Sequence, residues 1–194
     1  MCSVVKTTGY ADAFRWFFYR GNPTVPSRFG PNAVRESLKS YLLPLLNAWS
    51  FFSIYANLDG FSPAESKAPA FADRPALDRW ILSVLSQTTT EVTEALEDNH
   101  LNRAAASLES LLELLTNWYI RRSRRRFWKA GEAGSDEDKA AAYWTLYDVL
   151  VGIAHLSAPF TPFLAHRLHC DLVRSQQENP IDSVHLASWP IAGP

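Results

Sequence analysis

The chain has 194 residues, 47% of them apolar, and a formal net charge of −1 from 19 Lys and Arg against 20 Asp and Glu. That length and apolar share hold one ordinary domain with a real core and exclude a disordered chain. Two cysteines, Cys2 and Cys170, exclude a disulfide framework, and with no apolar run of about 18 residues and no secretory pattern in "MCSVVKTTGY" the expectation is a cytoplasmic protein that does not cross a membrane.

Residues 12–20, "DAFRWFFYR", are densely aromatic and fit a helix or a strand; "GNPTVPSRFGPN" after them is loop. Asn32 is placed to cap a helix whose apolar positions are Val34, Leu38, Tyr41, Leu42, Leu45, Trp49 and Phe52. Leu43, Leu46, Phe51 and Ile54 add a second apolar face, so this helix is expected to be central, with a kink at Pro44. "NLDGFSPAESKAPAFADRP" reads as a linker. Asp73 and Pro75 then open a helix striped by Leu77, Ile81, Val84, Leu85, Thr88, Val92 and Leu96. "EDNHLN" breaks it, with Asn102 as the next cap.

A third helix carries Leu108, Leu111, Leu112, Leu115, Trp118 and Tyr119 and runs into "RRSRRRFWK". "KAGEAGSDED" is a flexible break in which Ser135 and Asp138 resemble a capping box. The fourth helix is striped by Tyr143, Leu146, Tyr147, Leu150, Ile153 and Ala154. Thr161-Pro162 opens a fifth with Phe160, Leu164, Leu168 and Leu172, and "DSVHLASWP" is a short extended tail. The sum is an all-α fold: a bundle of four to five antiparallel helices with a short extended N-terminal segment and a C-terminal tail. Its expected divisions are a junction segment over 1–30, the bundle over 31–175 and the tail over 176–194.

Arg121, Arg122, Arg124, Arg125 and Arg126 fall within six positions of a chain that is neutral overall. A basic run in such a chain means one sticky face. Each residue turns a helix by about 100°. Continued from Leu108, the apolar stripe meets Arg122 and Arg126, while Arg121, Arg124 and Arg125 fall on the other side. Burying unpaired guanidinium groups costs several kcal/mol each. Either the core ends near Tyr119, or Arg122 and Arg126 pair with carboxylates, for which Asp12, Asp78 and Asp148 are candidates. Arg121, Arg124 and Arg125 repel one another unless a polyanion relieves them, and the guanidinium fork suits phosphate. Phe127 and Trp128 follow, with faces suited to stacking on bases. The bland alternatives are a solvated helix end that satisfies the dipole and its last carbonyls, or a nuclear-import signal.

"NWYIRRSRRRFWK" at 117–129 closely resembles the anticodon-binding helical domain of isoleucyl-tRNA synthetases. "ADAFRW" at 11–16 looks like the segment after that family's catalytic signature loop. "FFSIYANLDGF" at 51–61, "LDRWILSVL" at 77–85, "LSAPFTPFLA" at 156–165 and "SVHLASWP" at 183–190 follow the domain in order and spacing. The likeness therefore runs from about residue 10 to the end. It departs at Tyr10, where the family usually has glycine, and at Pro44. It implies a piece, or a stand-alone relative, of a class I synthetase. The family's ATP-binding signatures, His-Ile-Gly-His and Lys-Met-Ser-Lys-Ser, do not occur in this sequence. No catalysis in isolation and no cofactor are therefore expected.

The resemblance implies tRNA, of isoleucine type, as partner, together with the rest of a synthetase. Arg121, Arg124 and Arg125 are expected on phosphates of the anticodon stem, Trp128 on a loop base, and Lys129 as added charge. Arg122 and Arg126 are expected to be partly structural, tying the helix end to its neighbours. The alternative is an interaction module that docks a catalytic subunit or another partner without touching tRNA. His166, His169 and Cys170 have spacings of three and four that suit soft metal ligands, but no fourth ligand is evident and no metal is expected. Asp136, Glu137 and Asp138 read as helix-start carboxylates. Trp16, Trp49, Trp80 and Trp144 read as core.

Overall fold

A computed structural model describes residues 4–128, 135–176 and 181–193, with side chains from Tyr10 onward save that of Ser135. The helices are α1 (Val4–Arg20), α2 (Pro31–Ser37), α3 (Leu43–Asp59), α4 (Ala76–Glu97), α5 (Leu101–Glu113), α6 (Arg121–Trp128), α7 (Ser135–Ser157) and α8 (Pro162–Leu172). A π-helical segment, Leu38–Leu42, joins α2 to α3, and another, Leu114–Ile120, joins α5 to α6. Among the described residues there is no strand, so the all-α expectation holds.

The N-terminal segment is not extended. Residues 4–20 form a helix that packs on α2, α5 and α8. Its interior positions explain why. Trp16 is fully buried, stacks on Tyr41 with ring centroids 3.9 Å apart, and donates to Glu109 Oε1 at 3.1 Å. Asp12, also fully buried, accepts from the backbone N–H of Leu164 at 2.7 Å and of Phe163 at 3.4 Å. It therefore caps α8 from another helix, where a carboxylate also meets the positive end of the dipole. Burial raises the Asp12 pKa, against the pull of those two N–H groups. Arg15 donates to the carbonyls of Pro159 and Phe160, which fixes the α7–α8 corner to the same helix.

Pro44 does not simply kink the central helix. It lies in the first turn of α3, directly after the Leu38–Leu42 π segment. A proline lacks its N–H and its ring crowds the carbonyl four residues back. The wider π turn upstream accommodates that defect. Helix α3 ends at Gly60, whose φ of 66° suits a residue without Cβ, and Phe61 N–H closes the end on Ala56 O at 2.8 Å. Helix α4 ends the same way on Asn99, φ 59°, with His100 N–H on Ala95 O at 2.7 Å. His100, not Asn102, then stands at the N-cap of α5.

Helix α4 packs on α5 and α7, and α7 also contacts α3, α6 and α8. Gly152 of α7 permits the α4 approach: a Cβ there would lie 2.9 Å from Leu85 Cδ1. Arg74, nearly buried, pairs with Asp148 at 2.8 Å and donates to Thr145 Oγ1 at 3.1 Å. The tail over 181–193 returns to the bundle. It carries a short 3₁₀ turn at Val184–Leu186, and Trp189 Nε1 donates to Thr93 Oγ1 at 2.8 Å. No helix among the described residues is long and apolar enough to cross a membrane.

His155 on α7 and His169 on α8 face each other with ring centroids 5.7 Å apart. Burial, and then the neighbouring His169, lowers the His155 pKa from 6.5. The fold therefore resists a protonation that the unfolded chain accepts. Stability should be complete above about pH 6.5 and fall as pH drops through the lower folded value. His155→Gln should flatten that acid limb in urea midpoints measured between about pH 7.5 and about pH 5. An unaltered limb would exclude His155 as its source.

Candidate nucleic-acid interface

The arginine segment is the continuation of α5 through a π-helical stretch. Thr116 Oγ1 bonds back to Leu112 O at 2.9 Å, a local competitor for the helical ladder. Before and within this stretch the buried seam is Leu108, Leu111, Leu112, Leu115 and Tyr119. Ile120, its last residue, is buried as well, and after it the buried residues are Ser123 and Phe127. A regular helix would have continued the seam at positions 122 and 126. The π turn admits an additional residue and rotates the seam by one position, about 100°.

That rotation sorts the arginines differently from the straight-helix reading. Arg122 is not on the seam and does not tie the helix end to its neighbours. It is exposed, and its guanidinium carbon lies 4.9 Å from the centre of the Trp118 ring. Trp118 is likewise not core, being 51% exposed. Phe127 is unavailable to a base. It is buried among Phe51, Tyr55 and Tyr143, with ring centroids 5.1, 6.4 and 4.9 Å away.

Arg126 lies beside the new seam, with its side chain 15% exposed. It donates through Nη1 and Nη2 to both oxygens of fully buried Asp78, at 2.5 and 2.8 Å. It also reaches Asp138, through Nε to Oδ2 at 3.0 Å and through Nη2 to the backbone carbonyl at 2.8 Å. Tyr119 donates to Asp78 Oδ1 at 3.0 Å. Asp78 and Asp138 occupy the first turns of α4 and α7, so one guanidinium joins two helix starts to α6. Burial would lower the Arg126 pKa, but the hydrogen bonds and charge of Asp78 outweigh it and raise it. Of the three carboxylates considered from sequence, Asp78 is the partner; Asp12 caps α8 and Asp148 holds Arg74.

Arg121, Arg124 and Arg125 are exposed and have no ion-pair or hydrogen-bond partner among the described residues. No acidic residue occurs from Leu114 to Trp128. Trp128 is 56% exposed at the end of α6. Lys129 lies outside the described residues. Trp118, Arg121, Arg122, Arg125 and Trp128 recur at spacings of three and four and form one outward stripe, with Arg124 beside it.

The other constellations point elsewhere. His166 Nε2 faces Cys170 Sγ at 3.6 Å, while His169 Nε2 lies 3.0 Å from Ile181 O. Among the described residues, no three His, Cys, Asp or Glu side chains are grouped to hold a metal ion. A groove of about 410 Å³ between α3, α7 and α8 includes Trp49, Tyr147 and the Arg167–Asp171 pair, and none of the α6 arginines lines it. Trp80 sits at the surface, unlike buried Trp16 and Trp144.

Residues 78–194, more than half of the chain, match the family model described as the anticodon-binding domain of tRNA ligase. The chain is 48% identical over 186 residues to an isoleucine–tRNA ligase of Thermus thermophilus, covering 95% of this chain and 17% of that protein. It is 44% identical over 183 residues to one of Dehalococcoides mccartyi, covering 94% and 18%. With one of Deinococcus radiodurans the identity is 45% over 181 residues, covering 93% and 16%. The chain thus spans about a sixth of the length of these curated relatives.

Proposed function

Because the chain belongs to the anticodon-binding domain family of tRNA ligases, we propose that it binds tRNA through the outward arginine face of α6 and performs no catalysis by itself. The observation that carries this reading is the uncompensated charge: Arg121, Arg124 and Arg125 are solvated, adjacent and without an acidic partner among the described residues. Phosphate is the partner whose geometry the guanidinium fork fits. Trp128, exposed at the end of the same helix, offers a base-stacking face. The isoleucine identity of the tRNA rests on the relatives' names, and the rest of a synthetase as a covalent or docked partner on the small share of their length that the chain spans.

Affinity in isolation is expected to be weak and steeply dependent on salt. Fluorescence anisotropy with labelled tRNA at about 50 and about 200 mM salt tests this. A loss of affinity across that range supports the reading; absence of binding at the lower concentration overturns it. One observation favours a second, docking role beside it. Tyr10, Phe14, Phe18 and Phe29 are all exposed by 46–56%, and Phe14, Phe18 and Phe29 touch one another. An aromatic surface of that kind suits contact with the remainder of a synthetase.

A further inference from the structure

Among the described residues, neither Trp118 nor Arg122 has a hydrogen bond or ion pair to the rest of the bundle. Trp118 lies within the π segment Leu114–Ile120 and is half exposed, although its neighbours Leu115 and Tyr119 are buried. A π turn is rare and is found frequently at functional sites. Here the outward side chain is a half-exposed indole, the largest π surface a protein can offer. Arg122 lies over that indole at 4.9 Å and restrains it. Arg121 and Arg125 flank it at spacings of three and seven, both without a partner among the described residues.

We propose that Trp118 and Arg122 form a preorganised stacking subsite for one unpaired base, with Arg121 and Arg125 on the phosphates of the neighbouring nucleotides. This rests on the RNA-binding reading above and adds to it the class of nucleotide taken at the site. A base inside a duplex has both faces covered by its neighbours. A splayed base in a loop presents a face to the indole or to the guanidinium plane. The subsite therefore selects single-stranded over paired RNA, whereas the remaining arginines bind both alike. It also differs from Trp128, which has no described cation over its ring.

The test uses three labelled RNAs: a hairpin with an unpaired loop, the same hairpin with abasic loop positions, and a blunt duplex of the stem. The wild-type chain should bind the intact hairpin about 10-fold more tightly than the abasic one, as expected for one stacked base. Trp118→Ala should abolish that difference and leave duplex affinity unchanged. Trp118→Phe should restore most of it, which a general loss of fold would not permit. Circular dichroism of both variants confirms that the helices are intact. The inference is overturned if Trp118→Ala leaves the loop preference in place, or if it lowers all three affinities equally. Failure of every RNA to bind the wild type at low salt would instead sink the RNA-binding reading itself.

Discussion

Asp78→Ala is expected to cost about 3–5 kcal/mol of folding stability, seen as a lower urea midpoint with an unchanged slope. The carboxylate is fully buried and accepts from Arg126 Nη1, Arg126 Nη2 and Tyr119 Oη. Removing it leaves a mostly buried guanidinium with Asp138 alone, and a buried phenol left with Thr145 and the carbonyl of Ala142 at 3.4 Å. The magnitude comes from that stranded charge, not from the worth of the pair. The double variant Asp78→Leu with Arg126→Met should therefore lose much less than the single one, because no charge is left behind. A cost below about 1 kcal/mol for Asp78→Ala would mean that Arg126 swings to solvent without penalty. It would then not be what holds α6 against α4 and α7.

The helices that carry whole apolar stripes were legible in the sequence, and the reasons are physical. Leu77 to Leu96 and Tyr143 to Ala154 keep one helical phase from end to end, so the pattern names the buried face. Phase was lost where the chain leaves the α geometry. Leu114 and Leu115 look like any leucines, yet one added residue in the turn moves the seam from Arg122 to Ser123 and from Arg126 to Phe127. No local composition marks that slip. A cue was nevertheless present: the regular reading puts an arginine at a core position, and a π turn is one way to avoid it. The same applies at Pro44, where the expected kink became a π segment upstream. Long-range roles were out of reach for a different reason. Asp12 as the cap of α8 and Asp78 as the partner of Arg126 need residues 152 and 48 positions away. The sequence offers the carboxylates but not their neighbours. The candidate interface was therefore readable as a charge run, and its orientation was not.

The Asp78–Arg126 lock also decides which arginines can be used to probe RNA binding. Arg126→Gln would mix loss of charge with loss of fold, whereas Arg121, Arg124 and Arg125 are exposed and have no ion-pair or hydrogen-bond partner among the described residues. Changing those three to glutamine should leave the thermal midpoint unchanged or slightly raised, since like charges are relieved on a solvated helix. Affinity for tRNA should fall steeply. Each phosphate contact adds about 0.7–0.9 to the slope of log K against log salt, so three contacts lower that slope by about 2–3. Carried from about 1 M to about 0.1 M salt, the same slope amounts to a loss of at least about 100-fold. Replacing exposed Arg28, Arg35 and Arg103 removes equal formal charge elsewhere on the surface. If affinity followed net charge alone, the two triple variants would lose alike. If it follows an oriented face, the first loses about two orders of magnitude and the second only a small fraction of that. Equal losses, or an unchanged salt slope in the first variant, would remove α6 as the surface on which tRNA sits.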